Sequence, residues 1–107
     1  GSTRAIPNYN MMGIAKASLE SSVRYLASDL GDRHIRVNAI SAGAIKTLAV
    51  TGIKHHRDLL KESQSRTVDG ENVSISEVGN VAAFLVSDMS TGVTGDVIYV
   101  DKGVHLI

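Results

Sequence analysis

Tyr9 and Lys16 stand seven residues apart in Tyr9-Asn10-Met11-Met12-Gly13-Ile14-Ala15-Lys16. At the α-helical pitch, seven residues bring the second side chain back to within about 20° of the first, about 10.5 Å farther along the axis. A phenol and an ammonium held on one helical face can serve two parts of one bound pair, such as a carbonyl oxygen and a ribose hydroxyl. The same spacing also occurs on helices whose Tyr and Lys are simply solvated. Its meaning therefore depends on the elements around it.

The first of those elements is a long helix. Apolar residues fall at Met11, Met12, Ile14, Ala15, Leu19, Val23, Leu26, Ala27 and Leu30, mainly in three- and four-residue steps. That periodicity predicts a helix with one buried stripe. Pro7 suits its first turn, and Gly31 stands where a left-handed C-cap belongs. Gly13, Ala15, Ala17 and Ser18 leave part of the surface smooth, fit for close packing against another helix, including one from another subunit. Ile35 to Ile40 alternates and is rich in β-branched residues, which predicts a strand. Ser41-Ala42-Gly43-Ala44 ends it in small residues that let another molecule approach the backbone.

Lys54 to Arg66 reads as a polar, loosely anchored helix, and Thr67 to Asn72 as a loop. Ser74 and Glu77 have capping-box spacing, and Val73 with Val78 has hydrophobic-staple spacing. The helix they open is expected to carry Val78, Val81, Ala82, Phe84 and Leu85 inward and to stop near Asp88. Thr91 to Gly95 reads as a turn, and Val97-Ile98-Tyr99-Val100 as a short buried strand. Strand, helical crossover and strand make a right-handed parallel unit. Parallel sheets are normally covered on both faces and built from more strands than two. The expected fold class is α/β: the C-terminal part of a doubly wound, Rossmann-type parallel sheet, with about two strands and three helices, occupying residues 1–107 as one portion of a single domain.

Bulk properties narrow the function. At 107 residues, 43% hydrophobic and 21% charged, the chain fits one modest globular domain. Its eleven basic and eleven acidic residues cancel, so nothing argues for a nucleic-acid stripe or a polybasic membrane patch. The apolar runs fall far short of the roughly 20 residues that span a bilayer. Cysteine is absent, which excludes disulfides and thiolate metal sites and fits a reducing, cytoplasmic compartment. His55 and His56 diverge on a helix with no third ligand spaced to join them, so no metal site is expected. Neither G-x-G-x-x-G nor a P-loop pattern occurs.

Taken together, Ala5 to Glu20, Ile35 to Gly43, Gly92-Val93-Thr94-Gly95 and Val100-Asp101-Lys102-Gly103 resemble the short-chain dehydrogenase/reductase superfamily. Within it they are similar to the NADH-dependent enoyl-acyl-carrier-protein reductases of bacterial fatty acid synthesis, along the full chain. Most of the superfamily places Lys four residues after Tyr, a position held here by Gly13; the enoyl reductases use the seven-residue spacing seen here. The resemblance implies reduction of a trans-2-enoyl thioester on acyl carrier protein by hydride from NADH. It casts Tyr9 as donor to the thioester oxygen and Lys16 as partner of the nicotinamide ribose. It assigns Ala44, Ile45, Lys46, Thr47, Leu48 and Ala49 to the cofactor, with the Ile45 backbone at the carboxamide and Thr47 at the pyrophosphate.

Leu48 to Leu60 corresponds to a mobile substrate lid, and Met12, Ala49, Val50, Ile53 and His56 to the acyl pocket, though the four apolar ones read equally as ordinary core. Lys54 and Arg57 are candidate contacts for acyl carrier protein. Ala44 and Lys46 replace the family's usual Pro and Arg, which implies a weaker grip on the cofactor, and His56 replaces a frequent Phe. By the same resemblance the parent is a homo-oligomer, and the adenine-binding half and a second active-site tyrosine precede Gly1. Two other readings remain: a related reductase acting on another enoyl or keto substrate, and an inactive, non-enzymatic fragment. The isolated chain is expected to bind NADH poorly.

Overall fold

The computed structural model describes Ala5, residues 10–45 and residues 56–106. Among these residues the order is α1 (Asn10–Leu30), β1 (Ala39–Ala42), α2 (His56–Arg66), α3 (Ile75–Leu85) and β2 (Val97–Val100), with short 3₁₀ turns at Gly31–Arg33, Asp88–Ser90 and Val104–Leu106. The two strands pair. Ala39 N–H donates to Asp96 O and Gly43 N–H to Val100 O, at 2.9 and 3.0 Å, one unchanged offset that makes the pairing parallel. The α/β class and the element count agree with the sequence reading. No described helix is long and apolar enough to cross a membrane.

The chain divides into two compact units, one of Gly1–Ala39 with Thr91–Val97, the other of Ile40–Ser90 with Ile98–Ile107. In the first, α1 is the helix that the apolar periodicity predicts, but its stripe is not buried. Val23 and Ala27 are covered, whereas Met11, Met12, Ile14, Leu19 and Leu26 are exposed. The reason lies in what this unit offers as cover. Gly95, at φ 73°, brings the 91–97 turn so close that a Cβ there would stand 3.4 Å from Ala27 Cβ.

The helix also ends differently from the expectation at Gly31. A 3₁₀ turn carries the chain on to Arg33, and the left-handed residue is His34, at φ 59°, with its N–H donating to Gly31 O. Tightening the last turn moves the reversal three residues along, onto one of the non-glycine types that tolerates it best.

β1 begins four residues later than the Ile35 start expected. The intervening backbone and side chains bond the 91–97 turn instead of a ladder. Val37 N–H donates to Thr94 Oγ1 at 3.1 Å, while the Asn38 amide and the Arg36 guanidinium both donate to Val93 O. Asn38 Oδ1 accepts in turn from Asp96 N–H. Here polar side chains do what a strand's main chain would otherwise do.

In the second unit α3 opens as its sequence predicts. Ser74 Oγ accepts from Glu77 N–H at 3.1 Å, and Glu77 Oε1 accepts from Ser74 N–H at 2.9 Å. The box satisfies two of the helix's orphan donors. Val78, Val81, Ala82 and Leu85 form the half-buried stripe. Phe84, expected inward, is 40% exposed because it lies about 120° around the helix from Val78. The helix ends at Leu85, earlier than Asp88, and Ser90 Oγ, fully buried, donates to Leu85 O at 2.9 Å. β2 is half-buried, not buried, with Tyr99 the exposed member. Ser74→Ala is expected to cost about 1 kcal/mol by removing the cap; a denaturant-unfolding midpoint unchanged from wild type would contradict this.

Candidate functional site

Lys16 lies in the N-terminal half of α1, in the first unit, and is exposed. Met12, one turn earlier on the same row, is 51% exposed, so the two side chains share an open helical face. Among the described residues Lys16 makes no ion pair, which leaves its three donors available. Tyr9, immediately before α1, lies outside the described residues. So do Lys46, Thr47, Leu48, Ala49, Val50, Ile53, Lys54 and His55. His56 opens α2, and Arg57 follows it, exposed.

Ala44 and Ile45 belong to the second unit, half-buried, just past the carboxyl end of β1. That edge of a parallel sheet is where open α/β folds take their ligands. The small residue at position 43, however, serves a different end from the one expected. A Cβ on Gly43 would stand 3.1 Å from both Cα and Cβ of Asp101 and 3.3 Å from Val73 Cγ1. What approaches the Cβ side of Gly43 is the chain's own turn.

That turn follows β2 and carries residues the functional assignment passed over. Asp101 is 8% exposed, and its carboxylate accepts from Gly103 N–H and His105 N–H, each at 3.0 Å. His105 Nδ1 lies 2.9 Å from both carboxylate oxygens, and its ring stacks on Tyr99 with centroids 3.8 Å apart. The signal available in the sequence was the Asp-x-Gly-x-His spacing, in which a carboxylate can turn back onto following N–H groups.

Between them Lys102 adopts φ 54°, and its Nζ pairs with Asp69 Oδ2 at 2.9 Å and Glu77 Oε2 at 3.6 Å. The Lys102 hydrogen bond holds the Asp69 carboxyl below its ordinary value. Ser74 N–H, then the Ser74 hydroxyl, and further down Lys102 do the same for Glu77. The Asp69 hydrogen bond holds the Lys102 ammonium above its ordinary value. The carboxylates' contribution to stability is therefore complete above the ordinary carboxyl range and fades as pH falls through the lowered values. The ammonium's contribution is complete below the ordinary lysine value and fades as pH rises through the raised one. These groups are solvated, so the pairs are also screened by salt.

Lys102→Ala keeps the left-handed backbone and loses both pairs; Lys102→Gly loses the pairs but relieves the backbone. At neutral pH the glycine variant is expected to melt above the alanine variant. In strong acid the advantage of wild type over Lys102→Ala is expected to shrink. Thermal melts in which the two variants coincide would overturn this account.

Comparison with known proteins supplies the wider context. A family model described as "Enoyl-(Acyl carrier protein) reductase" matches residues 1–105. The NADH-dependent enoyl-[acyl-carrier-protein] reductase FabI of Enterococcus faecalis is 68% identical over 106 residues, which is 99% of this chain and 42% of that protein. The crystal structure of FabI from Candidatus Liberibacter asiaticus superposes with a TM-score of 0.88 at 47% identity, covering 100% of this chain and 42% of that one. The Bacillus cereus enoyl-acyl carrier protein reductase, solved with NADP+ and indole naphthyridinone, gives a TM-score of 0.88 at 50% identity, covering 99% of this chain and 41% of that one. The chain thus spans about two fifths of the length of the relatives it matches, and the α/β fold of its described residues is theirs.

Proposed function

Because the chain belongs to the enoyl-(acyl carrier protein) reductase family, we propose that it contributes the Tyr–Lys segment of a reductase. That reductase saturates the double bond of a trans-2-enoyl thioester carried on acyl carrier protein, using NADH, in fatty acid synthesis. The observation that carries this reading is the family match, which spans both Tyr9 and Lys16 at the spacing of the enoyl reductases. Each unit by itself offers groups suited to a dinucleotide. Lys16 offers an exposed ammonium, and Ala44 and Ile45 follow the ligand-binding edge of the sheet. When bound, NADH supplies hydride to the substrate's β-carbon.

This chain's residues handle the charge that results. Negative charge gathers on the thioester oxygen as an enolate, and the Tyr9 phenol donates a hydrogen bond to it. A phenol can do so because its hydroxyl carries an O–H donor. The bond strengthens as charge develops, so it favours the transition state over the ground state. Lys16 holds the ribose hydroxyls, orienting the ring and keeping positive charge near the phenol. The backbone at Ala44 and Ile45 receives the carboxamide end, and Lys46, Thr47, Leu48 and Ala49 continue along the cofactor. Met12, Ala49, Val50, Ile53 and His56 border the acyl chain, and Lys54 with Arg57 meets the acidic carrier protein.

We place this segment as the C-terminal portion of one Rossmann-type domain, in a cytoplasmic homo-oligomer. The exposed apolar row on α1 supports that placement, since it is surface that a larger assembly would cover. That the chain spans 42% of the Enterococcus faecalis protein supports a second proposal: these 107 residues alone are inactive.

In the full-length protein carrying this sequence, Tyr9→Phe is expected to lower kcat by about a hundredfold with little change in NADH KM. Lys16→Ala is expected to raise NADH KM as well as lower kcat. The isolated chain is expected to show no crotonyl-thioester-dependent NADH oxidation. Full kcat in Tyr9→Phe, or steady turnover by the isolated chain, would sink the respective assignment.

A further inference from the structure

β1 and β2 end side by side, and the turn at that edge is organised by a buried carboxylate for which the chemistry above has no use. We propose that Asp101 is a positioning residue for the cofactor-binding backbone at Ala44 and Ile45, acting through Gly43. The proposal rests on the function just described, and its geometry lies wholly within the second unit.

Asp101 folds residues 101–106 back on themselves by accepting from Gly103 N–H, His105 N–H and the His105 ring. The ring is held flat against Tyr99, 14° from parallel, which fixes the far side of the turn to β2. Lys102, tied to Asp69 and Glu77, fixes it to the start of α3. Held this way, Asp101 presents its Cα and Cβ to Gly43, and Val73 Cγ1 lies 3.3 Å from the same point, where a Cβ would stand. The Gly43 N–H is meanwhile committed to Val100 O at 3.0 Å. Position 43 is thereby held by one hydrogen bond and has two close neighbours on its Cβ side, and the next two residues are those that would face the nicotinamide. A carboxylate that touches neither substrate nor cofactor can set where that backbone sits.

Two variants perturb the same contact from opposite sides. Asp101→Asn keeps the volume but replaces an acceptor oxygen with an NH₂ group, so an N–H of the turn loses its partner. Gly43→Ala places a methyl group where the 3.1 Å wall is partly main chain, which side-chain rotation cannot relieve. In the full-length protein both are expected to weaken NADH binding about tenfold by fluorescence titration, and to raise NADH KM alike. The KM for crotonyl thioester is expected to stay near wild type.

Ser90→Ala serves as the structural comparison. It removes a buried hydroxyl bonded to Leu85 O and Ser87 O, and is expected to lower the unfolding midpoint without moving NADH affinity. Unchanged NADH affinity in both Asp101→Asn and Gly43→Ala overturns the proposal. So does an equal loss in Ser90→Ala, since the effect would then be general destabilisation. Wild-type protein that binds NADH yet leaves enoyl thioesters unreduced counts against the catalytic assignment, and the affinity comparison still decides the role of Asp101.

Discussion

A side chain at position 43 would need its neighbours to give way by a few tenths of an ångström. The contact between Gly43 and Asp101 joins the ends of two parallel strands, and the arrangement of the second unit follows from it. Gly43 leaves room for Asp101, which stands 3.1 Å from where a Cβ would be, closer than most Cβ contacts. Asp101 must be held, because a parallel ladder of four-residue strands ends within a few hydrogen bonds. The holding is done by the turn after β2: its N–H groups converge on one carboxylate, its imidazole stacks on Tyr99, and its lysine reaches two acids. A buried carboxylate is costly unless its lone pairs are occupied. The turn occupies them, so the burial that brings Asp101 against Gly43 becomes tolerable.

Local signals in the sequence survived into the structure, and non-local ones were less faithful. The capping box at Ser74 and Glu77 forms as its spacing implies, because both bonds close within four residues. β2 spans the expected four residues. Of the strand expected over 35–40 only the last two residues lie in β1, since what Val37 and Asn38 bond lies more than fifty residues away. The helix stop near Gly31 was legible as a place but not as a mechanism. Lys16 was legible as a candidate by its spacing from Tyr9 in a helical pattern, whereas Ala44 and Ile45 were assigned by the family resemblance. Asp101 carries part of the family resemblance and its Asp-x-Gly-x-His spacing signals the local acceptance, while its approach to Gly43 depends on the fold.

Periodicity announces that α1 is a helix with an apolar stripe, but burial depends on what else is present. Val23 and Ala27 are covered, and the neighbouring apolar residues are open. A chain that matches some two fifths of its relatives' length carries more apolar surface than its described residues enclose. Hydrophobic patterning records the environment a segment evolved for, so it can outrun the cover that one stretch of sequence provides.

Lys102 is an uncommon choice for a left-handed backbone position, where glycine sits without steric penalty. Its ammonium compensates by bridging two acids from different segments. The three positions 69, 77 and 102 therefore form one electrostatic unit. Once a glycine replaces the lysine, nothing at this turn requires acidity at position 69, and position 77 needs only a capping acceptor. Among homologues the three identities are thus expected to drift together, with one lineage spending charge where another spends conformational freedom.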